Sequence, residues 1–366
     1  MKIVRKLMLS IIAFVSVLTC FSISTYAWFQ VNSKAKVDGF VFNATGGLGF
    51  LISIDGKNYS NDITSEQMKM AMLVGYDSER YQIDNNKLLD KSEGKILSTL
   101  EINELVSKSL LLSPVTSKNG EDFTNLAGTS IPKSSGKYVE FSLYFRATSQ
   151  NADDNLEYDI YLCGEDLDQF VNPELDKKIP KTNIKSEKDT VGLLTDMTIY
   201  DPVDGVKVLG PDKDLKTIDV YSSNATRLSI KEESNKEAII YEITNEFDLG
   251  SYATTYDSNV DTTNDDETKK ELDRLYNSSY NAMYSYYNNL RPYSKLEPIN
   301  YEDGLPKTVR DLTDEHIFTS VKSGGPAKKV TFRFWLEGWD ADCFDGLSKS
   351  INVRLLFNSK PNKKSK

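Results

Sequence analysis

Histidine is nearly absent from these 366 residues, and His316 stands alone. Without a second imidazole there is no His-Glu-x-x-His pair, which removes the usual helix-borne zinc site. A Ser-His-Asp triad would have to use that one ring, and no Gly-x-Ser-x-Gly elbow offers it a serine. No P-loop is present to cradle a nucleotide phosphate. His316, in Asp314-Glu315-His316, reads as a surface residue. Basic residues are also in deficit, with 44 Lys and Arg against 54 Asp and Glu. That balance argues against nucleic acid and anionic lipid surfaces, which require clustered cations. Among so many carboxylates, no single pair identifies a glycosidase acid and base. Cysteine is scarce too, with three in the whole chain.

What is present begins at the N-terminus. Lys2, Arg5 and Lys6 precede an uncharged, mostly apolar run, Leu7–Ile23, which ends in Ser24-Thr25-Tyr26-Ala27-Trp28-Phe29. A cationic start, an apolar segment and a small-x-small end, Thr25 and Ala27, read as a secretory signal peptide over residues 1–27, cut before Trp28. A retained membrane anchor is the alternative, although seventeen residues sit at the lower edge of a bilayer span. Cleavage gives a secreted or cell-surface protein that meets the membrane only through the signal segment and signal peptidase. It also takes the formal charge from −10 to −13.

Export gives the cysteines a context. Cys20 lies within the signal, but Thr19 occupies the position before it where a lipoprotein needs a small residue, which argues against lipidation. Cys163 and Cys343 remain, an even pair in an oxidising compartment. A disulfide between them would constrain the unfolded chain by roughly 4–5 kcal/mol. Two separate buried thiols are the alternative.

About 340 residues follow the signal, enough for one large elaborated domain. With 39% hydrophobic and 27% charged residues, the chain is globular. Period-2 alternation predicts strands at Lys36–Asn43, Phe50–Ile54, Tyr138–Thr148 and Glu157–Cys163, the last two as a hairpin. Shorter β-rich runs follow at Asp196–Tyr200, Val206–Leu209, Thr217–Tyr221, Thr226–Lys231 and Ala238–Thr244. Two strands, Lys329–Glu337 and Ser350–Asn358, close the chain. Regularly spaced short strands indicate a sandwich or barrel.

Helices enter as insertions, at about 62–135 and 248–310. Thr64-Ser65-Glu66-Gln67 and Ser98-Thr99-Leu100-Glu101 both have capping-box spacing. Met68, Met72 and Leu73 follow the first on one face, and Ile102, Leu105 and Val106 follow the second. A long helix is predicted over Asp265–Leu290, its tyrosine stripe either packing on the sheet or stacking sugars. Asn119–Ser135 reads as loop, Asp166–Lys188 as a surface excursion and 359–366 as a basic flexible tail.

Two stretches carry a family resemblance. Thr25-Tyr26-Ala27-Trp28-Phe29 resembles the processing site of TasA/camelysin-type exported proteins of Gram-positive bacteria, cut by a SipW-type signal peptidase. Trp335-Leu336-Glu337-Gly338-Trp339-Asp340-Ala341-Asp342-Cys343 is similar to a block in uncharacterised exported proteins with this type of signal. The resemblance implies a mainly β, jelly-roll-like antiparallel β-sandwich with α-helical insertions over 28–358. It also implies a non-enzymatic role at the cell surface or in the biofilm matrix, with self-association or other matrix proteins as partners. Strand addition beginning at Trp28 and Phe29 is the physical route, against pairing of Trp28–Val41 within its own sandwich.

Other readings stay open. Asp340, Asp342 and Asp345, with Gly346, resemble the start of an oxygen-ligand calcium loop without its distal glutamate; a solvated strand connection is the alternative. Calcium is the one cofactor the residues suggest. Leu305-Pro306-Lys307-Thr308-Val309 looks like a sortase signal but has Val309 in place of glycine. A secreted hydrolase, protease or glycosidase, with carboxylates beside Asp340 or in the insertions, is the rival class. A carbohydrate-binding adhesin using Trp335, Trp339 or the tyrosine stripe is the third.

Overall fold

Strands with one apolar face need a second sheet to bury it, and the chain supplies two. The computed structural model describes residues 40–47, 49–125, 128–149, 156–167, 179–192, 197–201, 205–209, 217–244, 252–253, 307–340, 342–343, 347 and 349–362. The expected signal segment with its expected cleavage residues Thr25, Ala27 and Trp28, Phe29 of the expected assembly segment, the predicted Asp265–Leu290 helix, and Asp345 lie outside them.

The first sheet runs β17 (Ile317–Lys322), β8 (Glu157–Leu162), β19 (Ile351–Pro361), β1 (Phe40–Gly46) and β3 (Asp62–Ile63), and β9 (Asn183–Ser186) also pairs with β19. The second runs β15 (Ile239–Tyr241), β14 (Thr226–Glu232), β18 (Lys328–Leu336), β7 (Val139–Ala147) and β2 (Phe50–Ser53). Their facing sides interlock through aromatic rings. Phe42 of β1 meets Phe141 of β7 at 5.5 Å and Phe334 of β18 at 5.2 Å, while Phe145 of β7 meets Phe357 of β19 at 5.2 Å. These separations suit edge-to-face packing, and all five rings are buried. The protein is mainly β, a sandwich.

The alternation in β7 explains its place. Val139, Phe141, Leu143, Phe145 and Ala147 are buried and the residues between them half-buried. Two expectations need correction. The predicted hairpin of β7 and β8 does not form: β7 lies between β18 and β2, whereas β8 lies in the opposite sheet between β17 and β19. Each strand buries its own apolar face, and crossing between sheets lets both faces share one core. The sandwich is also not wholly antiparallel, because β1 runs parallel to β19 from Phe40↔Ile351 to Gly46↔Phe357.

The first insertion is as capped as its sequence predicts. Helix α1 (Ser65–Tyr76) starts at N-cap Thr64 and α2 (Thr99–Ser109) at Ser98, each with both bonds of its capping box. Met68, Met72 and Leu73 are buried in the main core, as are Ile102 and Val106. The position of α1 follows from a short strand. β2 pairs only Phe50–Ser53 with Ala147–Tyr144, so the edge of β7 nearer Val139 lacks a strand there. α1 lies along that edge and against β1, covering backbone that would otherwise be open. A three-stranded sheet, β4 (Tyr81–Asp84), β5 (Lys87–Asp90) and β6 (Lys95–Ile96), sits between the helices in sequence. Its first turn uses Asn85 and Asn86 at φ 49 and 56, the left-handed pair a two-residue hairpin requires.

Two further small sheets hold β10 (Lys188–Gly192) with β13 (Thr217–Tyr221), and β12 (Gly205–Leu209), β11 (Met197–Asp201) and β16 (Tyr252–Ala253).

Candidate functional site

The densest polar chemistry lies where β14 begins and β18 ends. Leu228 and Ile230 face the core, so alternation turns Arg227 to the outer side of the second sheet, cross-strand from Trp335. An arginine there would ordinarily meet water. Arg227 instead is fully buried, as are Ser222, Ser223, Asn224, Ala225 and Thr226 before it. Thr226 Oγ1 donates to Ser223 O at 2.6 Å and closes that turn.

Charge pairing makes the burial tolerable. Arg227 Nη2 donates to Asp340 Oδ2 at 2.7 Å and stands 3.4 Å from Glu242 Oε1. Its Nη1 donates to the carbonyl of Thr226 at 3.0 Å. Thr308 Oγ1 donates to Glu242 Oε2 at 2.8 Å, and Arg310 Nε lies 3.9 Å from Glu242 Oε1. Asp340 Oδ1 accepts the backbone N–H of Asp342 at 2.7 Å.

Glu337 forms a second centre beside it. Its carboxylate accepts Trp335 Nε1 at 3.1 Å and the backbone N–H of Trp339 at 3.3 Å. Burial pushes its pKa up, opposed by the Arg227 charge and by its hydrogen bonds. Residues 113–123 close the cover. Val115 N donates to Leu336 O at 3.0 Å and Gly338 N to Val115 O at 2.8 Å. Phe123 stacks on Tyr138 at 3.9 Å and meets Trp335 edge-on at 5.1 Å.

The arrangement binds chain to chain. Arg227, Glu242, Asp340 and Asp342 have no exposed surface and Glu337 has 1%, so these carboxylates cannot meet a bulk-phase substrate as they stand. Asp340, the carboxylate beside which a hydrolase site was expected, is buried with them. Of the residues expected to hold calcium, Asp340 accepts from the Arg227 guanidinium, and Asp345 lies outside the described residues. Among the described residues no group of three His, Cys, Asp or Glu could hold a metal ion. Trp335 and Trp339 are 0% and 2% exposed, which removes both from sugar stacking.

Cys163 and Cys343 are buried but not bonded to each other. Cys163 packs with Tyr161 and Leu356 in a satellite cluster, whereas Cys343 belongs to the main core. Burial raises the Cys163 thiol pKa, and its Sγ donates to Glu165 O at 3.2 Å. His316 is half-buried just before β17. Arg227 and Glu242 were not legible as site residues: an arginine and a glutamate in alternating runs carry no signal of the cover above them. Comparison with known proteins gives no matching family model, no matching characterised protein and no matching solved structure.

Proposed function

We propose that this chain is an exported, non-enzymatic structural protein of the cell surface or extracellular matrix, self-associating by N-terminal strand addition. The observation that carries the reading is the state of the first sheet. β1 is already seated inside it between β19 and β3, while β17 ends it with a partner, β8, on one side only among the described residues. Ile317 in that edge strand is exposed. An edge of this kind offers backbone groups to an extended segment from a neighbour. The stretch beginning at Trp28 and Phe29, just ahead of β1, is the candidate donor. The leader and the resemblance to TasA/camelysin-type proteins support export. The sealed Arg227 centre supports a structural use of the most distinctive charged residues.

The test is the size distribution of Trp28–Lys366 against concentration, beside a truncation beginning at Gly39 that keeps the whole of β1. Assembly lost on truncation, with the monomer still folded, is the expected result. A strictly monomeric protein at every concentration removes strand addition.

A further inference from the structure

We propose that the outer face of the second sheet is a trough for an acidic polysaccharide, a reading that goes beyond self-association and does not depend on it. Its floor is set by register. Tyr144 lies opposite Lys329, Ser142 opposite Thr331, and Glu140 opposite Arg333, with Arg146 one step further along β7. All lie on the side away from the core, and all are half-buried except Lys329, which is exposed. From Arg146 to Glu140 the floor runs about 20 Å at the usual rise of an antiparallel strand, long enough for several sugar rings.

Two loops rise beside it. On the β2 side, residues 54–60 fold over the sheet: Gly56 lies so close to Tyr144 that a Cβ would meet the ring at 3.3 Å, and the Arg146 guanidinium sits 3.9 Å over the Tyr59 ring. On the β14 side, Ser229 Oγ donates to Gly120 O at 2.6 Å and Lys231 pairs with Glu121 at 2.7 Å. The stacked Phe123 and Tyr138 close the end nearest Trp335.

Charge decides the occupant. On a chain of formal charge −10, this face gathers Lys57, Lys133, Lys231 and Arg333, paired with Asp84, Glu140, Glu121 and again Glu140, and adds Arg146 and Lys329, which have no ion pair among the described residues. Two of its cations have donors to spare. Arg333 spends Nε on Glu140 at 2.8 Å; its Nη1 is unpaired but shut away from solvent, which leaves Nη2 to meet an incoming group. Arg146 has its Tyr59 contact and, among the described residues, neither an ion pair nor a hydrogen-bond acceptor. A half-buried guanidinium without an acceptor is the group that gains most from an incoming carboxylate, because the charge-assisted bonds replace none already made. Ser142 and Thr331 offer hydroxyls to sugar oxygens, and Tyr144 offers apolar surface. Carboxylates on a polymer of hydroxylated rings match that set.

The test is binding of the Trp28–Lys366 chain to polygalacturonate, with dextran and poly-glutamate as comparison polymers. Saturable, salt-weakened binding to polygalacturonate is expected, with none to dextran. Arg146→Gln and Arg333→Gln should each weaken it by about tenfold, the worth of one charge-assisted contact. Arg354→Gln, on the exposed outer face of the other sheet, should leave it unchanged, and near-identical thermal melts would show that all three variants fold. No binding, or binding indifferent to Arg146 and Arg333, overturns the proposal. Equal binding to poly-glutamate overturns the assignment to a glycan. Neither result touches the concentration-dependent assembly that tests the proposed function.

Discussion

Arg227 shows what a single buried charge demands. Its guanidinium is held by Asp340 and lies near Glu242, all without exposed surface. Replacing it by methionine keeps most of the volume but leaves two carboxylates facing each other without a cation. Loss of one partner from a buried pair typically costs about 3–5 kcal/mol, more than an exposed pair is worth. Arg227→Met should therefore lower the urea unfolding free energy by about that amount at pH 7, and adding Asp340→Leu should restore part of it. A loss under about 1 kcal/mol would mean that water reaches the centre. Only half of this was readable beforehand. The acidic run after Trp339 announces itself in the sequence, but its partner stands more than a hundred positions away, on a strand face that alternation assigns to solvent. Trp335 misleads in the same way. It sits on the outer face of its strand, and residues distant in sequence, Val115, Phe123, Ile131, Tyr138 and Ile240, cluster with it in burial.

Elements were the most legible scale, and their pairings the least. Period-2 alternation located β7, β18 and β19 within a few residues, because each has a largely apolar face to bury, and β14 fell within a short β-rich run. It did not find β17, where Phe318 and Thr319 are both buried at a register shift, so the alternation breaks. It also joined β7 to β8, since a short polar link looks alike whether it turns within a sheet or crosses between two. Both capping boxes were legible because their bonds are local; the seat of α1 was not. Gly75 lies where an added Cβ would fall 1.7 Å from Glu140 O, a backbone atom of β7. Gly75→Ala would gain about 1 kcal/mol of helix propensity. Against that, helix and strand must part, which costs about 3 kcal/mol or more. The clash wins, so the variant should melt lower than the parent and expose the α1 amides to faster hydrogen exchange. An unchanged melt would place α1 further from β7.

At the scale of the whole molecule, acid should loosen the fold in a defined window. Asp90, bonded to Arg80 and Ser92, and Asp55, bonded to backbone N–H groups and to Asn58 and Ser53, are each held at about 2, below an ordinary value of 3.8. Folded carboxylates with lowered pKa values bind protons less readily than the unfolded chain does, so their contribution is whole above about pH 4 and fades toward pH 2. Glu337 has the opposite sign, since its raised pKa makes its contribution fall as pH rises through the carboxylate range. Thermal melts from pH 5 to pH 2 should follow the lowered pair, and Arg80→Gln should shrink the slope. A second consequence concerns how a long insertion joins a sandwich. Beyond β15 the chain is next described at length from Lys307, and the two ends of that interval are neighbours. Glu242 N donates to Val309 O at 3.0 Å, Val309 N to Ile240 O at 2.8 Å, and Thr308 Oγ1 to the Glu242 carboxylate. Closing a loop costs only about 0.6 kcal/mol more for each doubling of its length, and ends already in contact need few residues to join them. Exchanging residues 245–306 for a six-residue Gly/Ser linker removes β16, which contributes only the pairs Ile199↔Ala253 and Tyr200↔Tyr252 to its small sheet. It leaves intact the pairing of β14 with β18 and the facing phenylalanines. The shortened chain should then unfold in one transition with a midpoint within a few degrees of the parent, read by circular dichroism. Loss of that transition would make residues 245–306 part of the folding core rather than an addition at its neck.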